Sequence, residues 1–410
     1  MLAEVLKAFD IEPRFWADLI GCSKRQIDEW VSGQRQVPLS VAHRLSLAIG
    51  ISPAVIAGNE KIRGEAENLL PPLWLKAKEK GLGEKEHKAI ATLRLLSSNY
   101  DEVSSLLNER PNACKIHFDG ITQSVDPQQP ARIQGANAAR AFLEISTLGK
   151  GATGIGETFR GYLRAIGLLV IETPIDNKNL DGFCIPVGQR NLGIRPCLVA
   201  NSYRTTWFRR NYVLLHELAH AIFDLEASSA VFDVGNLPRA NAMDIAEQRA
   251  DSFALHSLVS ERMLNAFKNR GYGFDSLTPK KLAELVAKTH SEKDLLLRAA
   301  LEYDMISDDE REALSRLDIA KELRTISHHV RGLKELPADQ LFFPEVLKWG
   351  SRLTTFPAAG VRLPIPFVRL VLEILASGKI TSGKAADLLM VRRHELTKQF
   401  GVSVAVQESY

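Results

Sequence analysis

The spacing of apolar positions changes character along this chain, and each change marks a part of it. Over residues 1–58 apolar residues recur at helical spacing in short stretches that stop at turn residues. Glu12-Pro13 opens one stretch, Gly21-Cys22-Ser23 interrupts and restarts it, Gly33 closes another, and Gly50-Ile51-Ser52-Pro53 punctuates again. Such punctuation predicts a bundle of short helices. Residues 59–130 are charged and helical from Lys61 to Leu107, then loop-like around Asn108-Glu109-Arg110-Pro111 and Asp126-Pro127-Gln128-Gln129-Pro130, which predicts a helical connector. From about residue 135 the texture is α/β. Ala136–Leu148 and Gly156–Ala165 read as helices, and the short apolar runs Leu168–Glu172, Gly182–Val187 and Cys197–Asn201 read as strands. Asn211–Leu225 is strongly helical, a loop rich in Gly, Pro and Asn spans Val234–Asn241, and a helix follows from Met243 to Leu258. After residue 275 the pattern is mostly helical to the end, broken at Leu363-Pro364-Ile365-Pro366.

A chain of 410 residues exceeds one ordinary core, so the expected fold class is multidomain and mainly α with a small α+β core. The parts predicted are 1–58, 59–130, 131–275 and 276–410. Hydrophobic residues at 45% and charged residues at 25% exclude disorder as the main state. A net charge of +3 neither demands a nucleic-acid partner nor excludes one, because a local basic patch is invisible in a total. Cys22, Cys114, Cys184 and Cys197 are scattered, which argues against a zinc ribbon and against a disulfide framework. The N-terminus lacks the long apolar core of a signal peptide. No apolar run approaches the roughly 20 residues that span a bilayer. A cytoplasmic protein with no membrane partner is the expectation.

The chemistry lies in His216-Glu217-Leu218-Ala219-His220. Residues four apart share a helix face, so His216 and His220 offer two imidazoles in one direction to a tetrahedral cation. Glu217 stands where its carboxylate can act as general base on a water. The same five residues also occur by chance in ordinary helices. Here Tyr212, Val213, Leu214, Leu215, Leu218, Ala219, Ile222 and Phe223 surround them with apolar neighbours, which favours a buried, functional site. Two histidines are too few for catalytic zinc, which takes three protein ligands and leaves a fourth position open. Glu247 on the following helix is the best third candidate, with Asp244, Asp251 and His256 as competitors. Ala246, Ala250, Phe253 and Ala254 give that helix a small apolar side for close packing. Tyr212, Arg249 and His256 are candidates for stabilising the oxyanion. Cys184 and Cys114 are better read as inert buried thiols than as inhibitory zinc ligands.

Three motifs in order, Cys197-Leu-Val-Ala-Asn201, His216-Glu-Leu-Ala-His220 and Glu247-x-x-Ala250-x-x-Phe253-Ala254, resemble the ImmA/IrrE-type zinc peptidases over roughly residues 140–260. The resemblance implies a gluzincin-like core, Zn2+ as cofactor, Glu247 as third ligand and a transcriptional repressor as protein substrate. The strand ending at Ala200 and Asn201 precedes the catalytic helix and is expected to be the edge on which substrate pairs, with an ordinary core strand as the equal alternative.

Residues 14–31 carry helix-turn-helix spacing: Ala17 where helices cross, Gly21 at the turn, Ile27 and Trp30 as core, and Ser23 as N-cap. Ser23, Lys24, Arg25 and Gln26 then stand where recognition helices meet double-stranded DNA. The stretch resembles Cro/CI-type repressor domains, which implies DNA binding as a homodimer. Six basic and six acidic residues cancel over 1–58, and Asp28 and Glu29 lie on the presumed recognition helix, which weighs against it. A second helix-turn-helix-like segment spans 367–400, where residues 361–410 carry seven basic residues against four acidic ones. The reading that follows is a zinc endopeptidase fused to a DNA-binding-type module, in a stress or phage-linked response. The alternative is a transcriptional regulator or antitoxin-like protein whose peptidase-like part is structural or sensing.

Overall fold

The computed structural model describes Leu2, Ala3, Leu6 and residues 11–58, 82–106, 112–150, 153–187 (except 174, 176 and 178), 195–224 (except 204), 231–234, 245–326, 365–391 and 396. In the N-terminal part, α1 (Pro13–Ile20) starts on a proline and ends on Gly21, whose φ of 73° lies in the left-handed region that glycine adopts without strain. Ser23 caps α2 (Lys24–Val31) in a reciprocal box with Gln26. Then α3 (Leu39–Ile49) and α4 (Pro53–Ile56) follow. Trp16, Leu19, Ile27, Ala42 and Leu45 are buried between them.

The connector expected at 59–130 contains α5 (Glu84–Leu106) and α6 (Asn112–Thr122); its residues 59–81 and 107–111 lie outside the described residues. The helix expected from Ala136 starts earlier, as α7 (Ala131–Ile145). Gly135 hid that start, because a glycine inside a helix reads as a break. Next comes α8 (Phe159–Ala165), then β1 (Leu169–Thr173), β2 (Leu180–Val187), β3 (Arg195–Asn201), α9 (Trp207–Phe223), β4 (Val231–Val234) and α10 (Ile245–Leu258). Beyond these the described residues form helices: α11 (Glu261–Lys268), α12 (Pro279–Thr289), α13 (Lys293–Glu302), α14 (Asp308–Ser315), α15 (Ala320–Ile326), α16 (Ile365–Ala376) and α17 (Ser382–Leu388). The structure is thus mainly helical around one small sheet, as the sequence pattern predicts. No described helix is long and apolar enough to cross a membrane.

The four strands run in the order β1-β3-β2-β4, with β1 and β3 parallel and the other pairs antiparallel. Successive side chains of a strand point to opposite faces. Val170, Cys184, Leu198 and Ala200 accordingly join the core that holds α9 and α10. Leu169, Ile171, Phe183, Ile185, Cys197 and Val199 join the other core, which holds α1–α5 and the α16–α17 pair. Both faces are covered, which is why these strands read as continuous apolar runs rather than as alternation.

Strand order corrects one expectation. Ala200 and Asn201 do not form an edge. β3 is an interior strand, and Ala200 pairs with Glu172 of β1 on one side and Gly182 of β2 on the other. Its backbone groups serve the sheet, leaving none for a peptide. Asn201 is a structural knot instead: its Nδ2 donates to the carbonyls of Ile175, Asn177 and Leu180 at 2.9, 2.8 and 2.7 Å, and its Oδ1 accepts from Ile175 N at 2.8 Å. The edge beside β2 is β4, whose residues other than Val234 the sequence pattern assigns to no element.

The C-terminal segment with helix-turn-helix-like spacing packs inward over its described part. Arg44 of α3 donates to Asp387 at 2.9 Å and to the Ile20 carbonyl at 2.7 Å. Asn99 of α5 donates to the Leu388 carbonyl at 2.8 Å, and Lys384 pairs with Glu102 at 2.6 Å. Residues 392–395 and 397–400, where its second helix was expected, lie outside the described residues.

Behind the sheet sits a buried charge cluster. Glu172 of β1 accepts from Arg160 of α8 at 2.5 Å and from Arg210 of α9 at 2.9 Å, with all three side chains 7% exposed or less. Arg160 also donates to Asn211 at 2.7 Å, and Asn211 donates to the His290 carbonyl at 2.8 Å. This cluster fixes the start of α9 against β1 and so sets the direction in which α9 presents its later residues.

Candidate metal centre

The helix α9 begins at Thr206, whose hydroxyl accepts from Arg209 N at 3.0 Å. Its residues from Arg210 to Ala221 are all buried, as expected for a helix apolar on nearly every side. His216, Glu217 and His220 are 2%, 0% and 0% exposed. The next helix, α10, lies against α9 through Ala250 and Ala254, both fully buried. It carries Glu247 in its first turn.

This packing brings three donors together. His216 Nε2 and His220 Nε2 are 3.0 Å apart, and Glu247 lies 3.3 Å from the first and 3.6 Å from the second. A tetrahedral zinc with ligands at about 2.0–2.2 Å has ligand-to-ligand edges of roughly 3.3–3.6 Å. The two Glu247 separations match such edges and the nitrogen pair lies slightly inside them, so two imidazoles and a carboxylate converge as such a cation needs. Among the described residues, this is the group of His, Cys, Asp and Glu side chains placed to hold one. Glu247 is 31% exposed, so the cluster opens to solvent on its side.

Each outer ring nitrogen has a carboxylate beside it. His220 Nδ1 lies 2.9 Å from Asp224 Oδ2, and His216 Nδ1 lies 3.4 Å from Asp251 Oδ1. Carboxylates behind histidines fix the ring orientation and leave the inner nitrogens as acceptors for a cation. Burial alone would lower the His220 pKa, but hydrogen bonds to Asp224 and Glu247 outweigh it and raise it. Burial likewise works against the Glu247 carboxylate, yet the two histidines hold its pKa far below the usual range. Asp251 is brought down to about 2 by His216 against the opposing effect of its own burial. The carboxylates are thus kept ionised, as cation ligands and orienting groups need.

Glu217 lies under β2. A Cβ placed on Gly182 would stand 3.2 Å from Glu217 Oε1, 2.5 Å from Val213 Cγ1 and 2.7 Å from the Val199 carbonyl. Only glycine fits there, and it lets β2 rest directly on the helix face that bears Glu217.

The other candidates are spread around this cluster. Asp251 sits behind His216, with Oδ1 3.4 Å from its outer nitrogen rather than among the three donors. Asp244 lies outside the described residues. Of the three oxyanion candidates, Tyr212 donates its hydroxyl to Asp251, and burial together with the Asp251 charge keeps that phenol protonated. Arg249 donates to Asp224, behind His220. His256 binds Tyr303 at 2.5 Å and Glu302 at 3.3 Å, and it lines a separate cavity of about 550 Å³ with Arg140, Leu143 and Arg262. Nine residues, or two and a half turns, separate it from Glu247 on α10, so the two lie on opposite helix faces. Cys184 is buried in the apolar layer under the sheet, and the Cys114 side chain lies outside the described residues. The sequence pattern did not single out Asp224, although its spacing of four from His220, at the C-cap of α9, was readable.

The N-terminal candidates divide. Ser23 and Gln26 spend their side chains on the cap, with Ser23 N donating to Gln26 Oε1 at 2.9 Å. Arg25 is exposed but pairs with Glu29 at 2.9 Å, and Arg35 pairs with the same carboxylate at 3.2 Å. Lys24 is exposed on the same face.

Residues 163–289 match the family model of the IrrE N-terminal-like domain, Peptidase_M78. That span runs from α8 to the last residue of α12 and contains the sheet, α9 and α10. The family is one of peptidases, so the match and the His216, His220 and Glu247 cluster point the same way. No curated protein and no solved structure matches the chain.

Proposed function

We propose that this protein is a zinc-dependent endopeptidase of ImmA/IrrE type, with His216, His220 and Glu247 as metal ligands and Glu217 as general base. The convergence of three donors within 3.0–3.6 Å of one another is the observation that carries the reading. Zinc, when bound, supplies a Lewis acid that polarises a scissile carbonyl and acidifies water. Glu217 takes the proton of the attacking water and passes it to the leaving amine. The full burial of Glu217 and the near-full burial of both histidines keep bulk water away from the reacting groups, where electrostatic effects are then stronger. An extended substrate pairs with the outer side of β4, the sheet edge next to β2 among the described residues. Its expected source is a transcriptional repressor. Metal analysis of protein purified without added metal is expected to find about one zinc per chain, and none in a His216→Ala/His220→Ala variant. Equal zinc in both preparations would remove the ion from this cluster.

The N-terminal helices support a second role. α2 has an exposed face with Lys24 and Arg25 at its start, behind a sound cap, as a Cro/CI-type reading of residues 1–58 requires. Docking on double-stranded DNA then needs Arg25 and Arg35 to exchange Glu29 for phosphate oxygens. Glu29→Gln is accordingly expected to tighten a mobility shift on operator DNA taken from upstream of the protein's own gene. A Lys24→Ala/Arg25→Ala variant should lose that shift. If neither change alters it, α2 is not the reading element.

A further inference from the structure

Behind His220, a chain of side chains leads out of the metal centre and across two other helices. Asp224, one turn after His220 on α9, holds His220 Nδ1 at 2.9 Å through Oδ2. Its Oδ1 accepts from Arg249 of α10. The Arg249 guanidinium also donates to Gln134 Oε1 of α7 at 3.3 Å and lies 4.7 Å over the Phe223 ring. Gln134 is anchored in turn, because its Nε2 donates to the carbonyls of Gln129 at 2.6 Å and Pro127 at 3.2 Å. At Gly135 the α7 and α10 backbones come so close that a Cβ would stand 2.3 Å from the Arg249 carbonyl. The far end of the chain is therefore fixed to backbone, and the near end to a ring that faces His216 and Glu247.

We propose that Asp224, held by Arg249 and Gln134, is the positioning residue of His220. Asp224 accepts the Nδ1 proton, which selects the tautomer whose Nε2 lone pair points at the other two donors. Arg249 neutralises Asp224 and fixes its rotamer, because an aspartate at the end of a helix has other staggered positions open to it. The two ring nitrogens lie on opposite sides of the imidazole. Arg249 thus stands on the side away from the cation, where it has no access to a developing oxyanion. His216 has a looser arrangement: its Asp251 is 3.4 Å away and also accepts from Tyr212. His220 is the ligand whose aim depends most on one carboxylate.

The proposal rests on the zinc reading above, and one experiment separates the two. Zinc affinity of the full-length chain is measured by competition with a chelator for wild type, Asp224→Ala, Asp224→Asn, Arg249→Ala and the Asp224→Ala/Arg249→Ala double variant, with zinc-free melting temperatures as fold control. Loss of the orienting carboxylate is expected to weaken zinc binding by about 10–100-fold. Asp224→Asn, which keeps an acceptor of the same shape, should lose less. Arg249→Ala should lose several-fold, and the double variant should be no weaker than Asp224→Ala alone, since both changes break one chain. Nitrogen NMR of zinc-free protein, taken at a pH above the raised pKa of His220, should find the Nδ1-H tautomer of His220 in wild type and a mixture in Asp224→Ala. Zinc affinity within twofold of wild type in a folded Asp224→Ala overturns the proposal, as do losses that add in the double variant. Wild type that binds no zinc overturns the zinc reading itself, and this proposal with it.

Discussion

Glu217→Gln is expected to slow peptide-bond cleavage on the order of 10³-fold, within the range that a positioned general base contributes, while zinc content stays at the wild-type value. The side chain is fully buried, and glutamine keeps its shape, so the slot under Gly182 is filled as before. What disappears is the ability to accept a proton. The three-donor cluster of His216, His220 and Glu247 is untouched, which makes the substitution a test of chemistry rather than of assembly. Turnover and zinc content measured on the same sample decide the outcome. Undiminished turnover would take Glu217 out of the reaction, and a parallel loss of zinc would make it a structural partner of the site.

The second large effect is on stability. Glu172→Gln is expected to cost about 3–5 kcal/mol, the range for breaking a buried ion pair by removing one partner. Glu172 is 5% exposed and faces both Arg160 and Arg210, so the neutral variant leaves two guanidinium groups without their counter-charge. Equilibrium denaturation measures this directly, and a loss under 1 kcal/mol would show that the cluster is already compensated elsewhere. The same group sets a pH dependence. Burial raises the Glu172 pKa, but Arg160 and Arg210 outweigh burial and hold it below the usual carboxylate value. A depressed carboxylate contributes stability that is fully present above its unfolded pKa of about 4.3. That contribution is lost as pH falls through the folded value. Wild-type stability should therefore fall faster than that of Glu172→Gln on acidification below about pH 4.3.

How far the sequence reveals this molecule depends on whether the relevant contact is local. His216, Glu217 and His220 are related by helical spacing alone, so their common face is legible without any structure. Glu247 is different. The residues left Asp244, Asp251 and His256 open beside it, and only family resemblance favoured Glu247, because the contact between α9 and α10 is not a local property. The structure then separates Glu247, which meets both inner nitrogens, from Asp251, one turn later on the same helix and behind His216. Strands 169–173, 180–187 and 195–201 were readable from their apolar runs, but the order β1-β3-β2-β4 was not. Hydrogen-bond partners of a strand are set by remote segments, and a strand covered on both faces looks the same at an edge or inside. That is why Ala200 and Asn201 were expected at an edge.

Two further misreadings have definite causes. Gly135 suggested a helix start because glycine usually breaks helices, whereas here it permits near contact between α7 and α10. Tyr212 and Arg249 looked like oxyanion donors because they are polar and near the motif. Each is drawn instead to a carboxylate, Asp251 or Asp224, that orients a histidine. A polar group next to a catalytic motif is more easily recognised than its direction, since direction depends on partners from other elements. The N-terminal turn was readable in detail, from Gly21 to the Ser23 cap. Its burial together with α16 and α17 was not, because more than 300 residues separate Arg44 from Asp387.

The central claim is that this metal-ready cluster cuts protein. Its most direct test is mass spectrometry of a panel of helix-turn-helix repressor proteins after incubation with the purified protein. The account predicts a defined pair of fragments from at least one of them with wild type, and none with chelated protein or Glu217→Gln. Fragments that persist unchanged with Glu217→Gln and with chelator, or a wholly intact panel under every condition with zinc-loaded wild type, would contradict it.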